Sequence, residues 1–154
     1  MHHSIRKYVR FAHQGRIAYG VLDGAVVRAL SGNPFTGGNE TGQTTALQEA
    51  TLLCPCEPTK ILAVGLNYKS HLGGRPAPTR PELFWKPVSC LLEPEGTIIL
   101  PEGAANVHFE GELVVVIGRK SKAVSPQEAA DCIFGYTCGI DVSERDWQKN
   151  DLQW

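Results

Sequence analysis

From Lys7 to Leu30 the chain reads KYVRFAHQGRIAYGVLDGAVVRAL, with short runs rich in Val, Ile, Tyr and Leu cut at His13 to Gly15 and at Asp23-Gly24. Runs of that length and composition predict strands, and Asp-Gly between apolar flanks is a strong hairpin cue. The pattern therefore predicts a small antiparallel unit at the amino terminus. The polar, Gly-rich stretch from Ser31 to Gln43 predicts a loop. Its SGNPFTGGNETG lacks the Gly-Lys-Ser/Thr ending of a phosphate cradle. Thr45 to Leu53 predicts a strand or a short helical turn, and CPCEP a linker.

After Pro58 the pattern changes. KILAVGLNY predicts an apolar strand bounded by Gly65, and the prolines and glycines of SHLGGRPAPTRPE exclude a helix interior. That segment predicts a long loop, and loops held by a rigid sheet are where ligand-handling residues concentrate. A second apolar run, LFWKPVSCLL, precedes VHFEGELVVVIGR, which reads as a buried strand. The helical candidate is Ser125 to Phe134, SPQEAADCIF, with Ser125 as N-cap, proline at the first helical position and Glu128 completing a capping box. It ends near Gly135, where GYTCGIDVS predicts a strand leading to Asp141.

Residues i and i+2 of a strand face the same side, so Glu110 and Glu112 point together while Phe109, Gly111 and Leu113 point the other way. Neighbouring carboxylates followed at once by Val-Val-Val-Ile repel each other and lose hydration unless a cation neutralises them. Carboxylate oxygens suit hard ions such as Mg²⁺, Mn²⁺ or Ca²⁺. The competing reading is a surface edge strand whose glutamates are solvated. The glutamate strand, the capped helix and the returning strand predict one unit that brings Asp141 near the pair.

The chain has 154 residues, 42% hydrophobic and 20% charged, which is the composition of an ordinary globular protein and excludes disorder as the default. Its 15 basic and 16 acidic residues leave a formal charge of −1, so nothing in the balance favours nucleic acid or a membrane surface as a partner. Five scattered cysteines argue for reduced thiols in the cytoplasm over a disulfide frame or a zinc site. MHHSIRKYVRF lacks the apolar run of a signal peptide, and no run approaches a membrane span, so a cytoplasmic setting is expected. His2 and His3 read as a flexible terminus, and His13 as a turn residue.

Four blocks in order, KILAVGLNYKSH, PELFWKP, HFEGELVVVIGRKSKAV and FGYTCGIDVSERDWQ, resemble the fumarylacetoacetate hydrolase family in its small bacterial form, of the 2-hydroxyhepta-2,4-diene-1,7-dioate isomerase kind. The match runs from about Lys60 to Trp154, and the preceding segment resembles the family's small amino-terminal domain. The resemblance implies a mainly β fold with minor α content. A small β domain over 1–57 would precede the amino-terminal part of a mixed β-sheet roll over 58–154. It implies Glu110, Glu112 and Asp141 as ligands of Mg²⁺, Mn²⁺ or Ca²⁺, His71 of the NYxxH motif as base or water activator, and Arg145 and Gln148 as residues that reach the substrate's oxygens. It further implies a homodimeric hydrolase or lyase that cleaves a carbon–carbon bond of a small 2-oxo or β-diketo acid through a metal-bound enolate.

Two departures from the family pattern change that picture. Hydrolytic members often carry a glutamate three residues after the histidine, whereas this chain reads His71-Leu72-Gly73-Gly74, and Glu82 is the next acid along the loop. Without the dyad, isomerase or decarboxylase chemistry stands beside hydrolysis, because it needs no activated water. The chain also stops at Trp154, before the family's lysine-bearing WxRAK-like block. A fragment, or a non-catalytic remnant that only binds metal, is the reading this second departure adds.

Overall fold

The computed structural model describes residues 5–149 and 151; His2, His3 and Trp154 lie outside them. By its contacts the chain divides into two compact units, one made of the chain up to Cys56 with Glu93–Gly96 and Glu110–Asp141, the other of Glu57–Leu92, Thr97–Phe109 and the chain from Val142 onward. The architecture is mostly β, as expected from the sequence.

In the first unit, β1 (Lys7–His13), β2 (Arg16–Asp23), β3 (Val26–Leu30), β4 (Glu40–Ala46) and β5 (Thr51–Leu53) form an antiparallel sheet in the order β4-β3-β2-β1-β5. Both expected hairpins are present. His13 pairs with Arg16 around Gln14 and Gly15, which both take positive φ (48° and 74°), the geometry that matches the twist of the flanking strands. Phe11, Val21, Val27 and Leu30 are buried and make up most of the core. Gly20 sits against them so closely that a Cβ there would lie 2.4 Å from Val27 Cγ1 and 2.9 Å from the Arg28 carbonyl oxygen.

The expected loop from Ser31 to Gln43 is shorter than its composition suggested. A 3-10 turn, Pro34–Thr36, is capped by Asn33, whose side chain accepts the Phe35 N–H at 2.9 Å, and β4 begins at Glu40. As an outer strand with mostly exposed side chains, β4 needs only backbone pairing with β3, which leaves no hydrophobic alternation to read. Thr45 to Leu53 contains both expected alternatives: a 3-10 turn at Leu47–Glu49 separates the end of β4 from β5.

In the second unit, β6 (Ile61–Gly65) pairs antiparallel with β7 (Glu82–Lys86), from Ile61 opposite Lys86 to Gly65 opposite Glu82. The intervening segment holds a 3-10 turn at Lys69–Leu72, anchored by buried Leu72, and is otherwise irregular, as its prolines and glycines require.

β8 (Val107–Ile117) and β9 (Ile133–Glu144) form a two-stranded sheet. The reading of the glutamate strand as buried is corrected: Leu113 and Ile117 are 66% and 57% exposed, and Val114 and Val115 are exposed too. β9 is the strand that β8 pairs with among the described residues, and no layer covers the face carrying Leu113, Val115 and Ile117. The helix between the strands, α1 (Pro126–Ala130), is shorter than expected. Its capping box is formed, the Glu128 N–H donating to Ser125 Oγ and the Ser125 N–H to the Glu128 carboxylate. Ile133 and Phe134 belong instead to β9, where the Phe134 ring packs 4.3 Å from Phe35 and 5.2 Å from Tyr8. Tertiary burial of an aromatic outweighs the weak helix preference of Cys-Ile-Phe.

Candidate metal centre

The two long strands build the site. The Gly118 N–H donates to the Cys132 carbonyl at 2.8 Å, and the Arg145 N–H donates to the Asn106 carbonyl at 2.9 Å. Strand alternation then turns Glu110, Glu112 and Asp141 to one face. One carboxylate oxygen from each lies within 4.8 Å of the others. Asp141 retains 8% exposure, and the two glutamates are half-buried.

The donor set fits a hard divalent cation. All three groups supply oxygen, and two oxygens on opposite sides of an ion at about 2.4 Å stand about 4.8 Å apart. Without a cation, three carboxylates this close repel, and the buried member has lost most of its hydration. On the same two strands, a Cβ at Gly139 would come 2.8 Å from Val114 Cγ2.

In the other unit, α2 (Arg145–Gln148) follows directly on β9. Its cap is Glu144, whose carboxylate accepts the Trp147 N–H at 2.7 Å and the N–H groups of Asn106 and Ala105 at 2.8 and 3.3 Å. The Trp147 bond first, and the Asn106 and Ala105 bonds after it, hold the Glu144 carboxyl below the ordinary carboxylate range, against the opposing effect of burial. The sequence reading passed over Glu144 except as a neighbour of Arg145. The signal for it was an acid immediately before a short helical run that leaves its first N–H groups open. Within α2 the Arg145 Nη1 donates to Gln148 Oε1 at 2.8 Å, so the two residues expected to reach substrate hold each other.

His71 lies in the 3-10 turn of the second unit, its N–H donating to the Tyr68 carbonyl at 2.9 Å and its ring 5.9 Å from the Tyr68 ring. Gly73 and Gly74 follow with φ of 54° and 82°. A glutamate at 74 would be strained in that conformation, which gives a backbone reason for the missing dyad.

Residues 60–154 match the family model described as fumarylacetoacetate (FAA) hydrolase C-terminal, and residues 6–55 match the one described as Rv2993c-like, N-terminal. Protein Rv2993c of Mycobacterium tuberculosis is 41% identical over 155 residues, covering 94% of this chain and 58% of the relative. The mitochondrial oxaloacetate tautomerase fahd2 of Xenopus laevis is 41% identical over 109 residues, covering 68% of this chain and 34% of the relative. The crystal structure of 2-hydroxyhepta-2,4-diene-1,7-dioate isomerase from Mycobacterium marinum superposes with a TM-score of 0.85 at 40% identity, covering 98% of this chain and 59% of that one. The chain thus spans well under two thirds of the length of each of these relatives. With its family model matched across most of its length and its fold shared with solved members, the chain belongs to the fumarylacetoacetate hydrolase family.

Proposed function

We propose that the chain is the metal-holding part of an enzyme that moves a proton on a small 2-oxo or β-diketo acid, with isomerisation or tautomerisation as the leading reaction. The observation that carries this reading is the convergence of Glu110, Glu112 and Asp141 within 4.8 Å. These three would hold Mg²⁺, Mn²⁺ or Ca²⁺. A bound divalent ion supplies Lewis-acid stabilisation of the negative charge that develops on the oxygen of an oxo acid losing its α-proton. His71 is assigned the proton transfer, a role its near-neutral reference pKa suits. Arg145, held by Gln148, is assigned the substrate carboxylate.

Two observations favour proton transfer over hydrolysis. The glycines after His71 leave no adjacent acid to orient the imidazole for water activation. The Xenopus laevis and Mycobacterium marinum relatives are named as a tautomerase and an isomerase. Hydrolytic or decarboxylating carbon–carbon cleavage at the same carboxylates is the second reading, supported by the family match. The family resemblance is likewise what supports a homodimer, a cytoplasmic setting and a division into domains 1–57 and 58–154.

The test follows the ultraviolet absorbance of enol oxaloacetate mixed with the chain, with Mg²⁺ or Mn²⁺ and then with EDTA. A metal-dependent acceleration of enol–keto exchange that Glu110→Gln abolishes is expected. Acylpyruvate and fumarylacetoacetate cleavage are assayed in parallel. Cleavage without tautomerisation supports the second reading, and flat traces for all three favour a metal-binding remnant.

A further inference from the structure

Asn106 immediately precedes β8 and meets the start of α2, and every group that joins it there belongs to the second unit. Each of its polar groups, backbone and side chain, has a partner. The backbone N–H donates to Glu144 Oε1 at 2.8 Å, the carbonyl accepts the Arg145 N–H at 2.9 Å, and the side-chain NH₂ donates to Asp146 Oδ1 at 3.1 Å. The side-chain oxygen lies 2.9 Å from His108 Nε2. An ionised carboxylate only accepts, so Asp146 draws the NH₂ to its side of the amide and leaves the oxygen to His108, whose Nε2 donates. Three consecutive residues, Glu144, Arg145 and Asp146, are thus tied to one half-buried asparagine from another segment.

The tie matters because α2 has only four residues. A single helical turn is unstable by itself, since fixing it costs more backbone freedom than its few hydrogen bonds offset. The bonds from Asn106, with the Glu144 carboxylate capping the Trp147 N–H, are what set its place. Arg145 and Gln148 belong to that turn and hold each other at 2.8 Å. An arginine on a fixed turn loses less freedom on binding a carboxylate than one on an untethered segment. We infer that Asn106 is a positioning residue: its amide bond to Asp146 and its backbone bonds to Glu144 and Arg145 fix the place from which Arg145 meets a substrate carboxylate. This role rests on the assignment of Arg145 to that carboxylate.

The bond between Asn106 and Asp146 can be broken and remade by exchanging donor and acceptor. Asn106→Asp sets two carboxylates against each other, and combining it with Asp146→Asn lets the amide at 146 donate to the carboxylate at 106. Initial rates of enol–keto exchange of oxaloacetate in Mg²⁺ are measured for the native chain, Arg145→Ala, Asn106→Asp and the combined variant. Asn106→Asp should raise KM about three- to tenfold with kcat within about twofold, the pattern of binding lost equally from ground and transition states. The combined variant should return KM to within about twofold of the native value, a rescue that general damage to the fold would not show. Circular dichroism checks each variant, and should Asn106→Asp not fold, Asn106→Ser carries the same expectation for KM. An unchanged KM at position 106 beside a raised KM in Arg145→Ala, a loss of kcat without a change of KM, or no rescue overturns the role of Asn106 and leaves that of Arg145 standing. A native KM in Arg145→Ala, or no Mg²⁺-dependent exchange by the native chain, overturns the assignment of Arg145, and the role of Asn106 falls with it.

Discussion

Replacing Glu112 by glutamine should stabilise the chain without metal and destabilise it with metal. Two unit charges 4.8 Å apart, the outer limit for the ligand oxygens, repel by about 0.9 kcal/mol at the dielectric of water and about 3.5 kcal/mol at an effective value of 20. Glu112 faces two such neighbours, and it is only half-buried, so the water end of that range applies. Its neutralisation should add about 1–2 kcal/mol to the metal-free chain, the sum of the two pair repulsions at that end of the range. With Mg²⁺ at a hundred times its dissociation constant, the native chain gains roughly 2.7 kcal/mol by linkage, and the variant forfeits most of that gain. Urea unfolding in EDTA and in excess Mg²⁺ reads both signs. A variant less stable than the native chain in EDTA, or equally stabilised by Mg²⁺, would refute the reasoning, because the carboxylates would then be neither crowded nor ligating.

Gly20→Ala should cost about 1–3 kcal/mol, the usual penalty of overpacking, because its Cβ would meet fully buried Val27 and a carbonyl oxygen. An unchanged urea midpoint would mean that the sheet gives way there. Acid stability should depend on Glu144 and Glu128. The Glu144 carboxyl is held down chiefly by the Trp147 N–H and that of Glu128 by the Ser125 N–H and hydroxyl. Both pKa values are depressed in the folded state, so this contribution is complete above the ordinary glutamate range and is lost as pH falls through the depressed values. Glu144→Gln should flatten the acid limb of a stability–pH curve, and an acid limb parallel to that of the native chain would contradict the assignment.

The amino-terminal hairpins were legible because Gly-containing turns between β-prone runs are local signals, and so was the i, i+2 facing of Glu110 and Glu112. The capping box at Ser125 and Glu128 was local too. What escaped depends on partners distant in sequence. β4 is polar and pairs only because β3 offers it an edge, and the helix after Ser125 stops early because Phe134 finds Phe35 and Tyr8. The burial of β8 was overread from Val-Val-Val-Ile, since an apolar run reports what a strand is suited to contact, and within this chain Leu113 and Ile117 remain exposed. Asp141 was placed near the glutamates by reasoning about one strand–helix–strand unit, and its carboxylate does converge with theirs.

The most direct test of the central claim is a calorimetric titration of the chain with Mn²⁺, alongside the variant carrying Glu110→Gln and Glu112→Gln. The three converging carboxylates predict a saturable single-site isotherm for the native chain and none for the variant. Equal Mn²⁺ binding by both, or no binding by the native chain, would contradict the account.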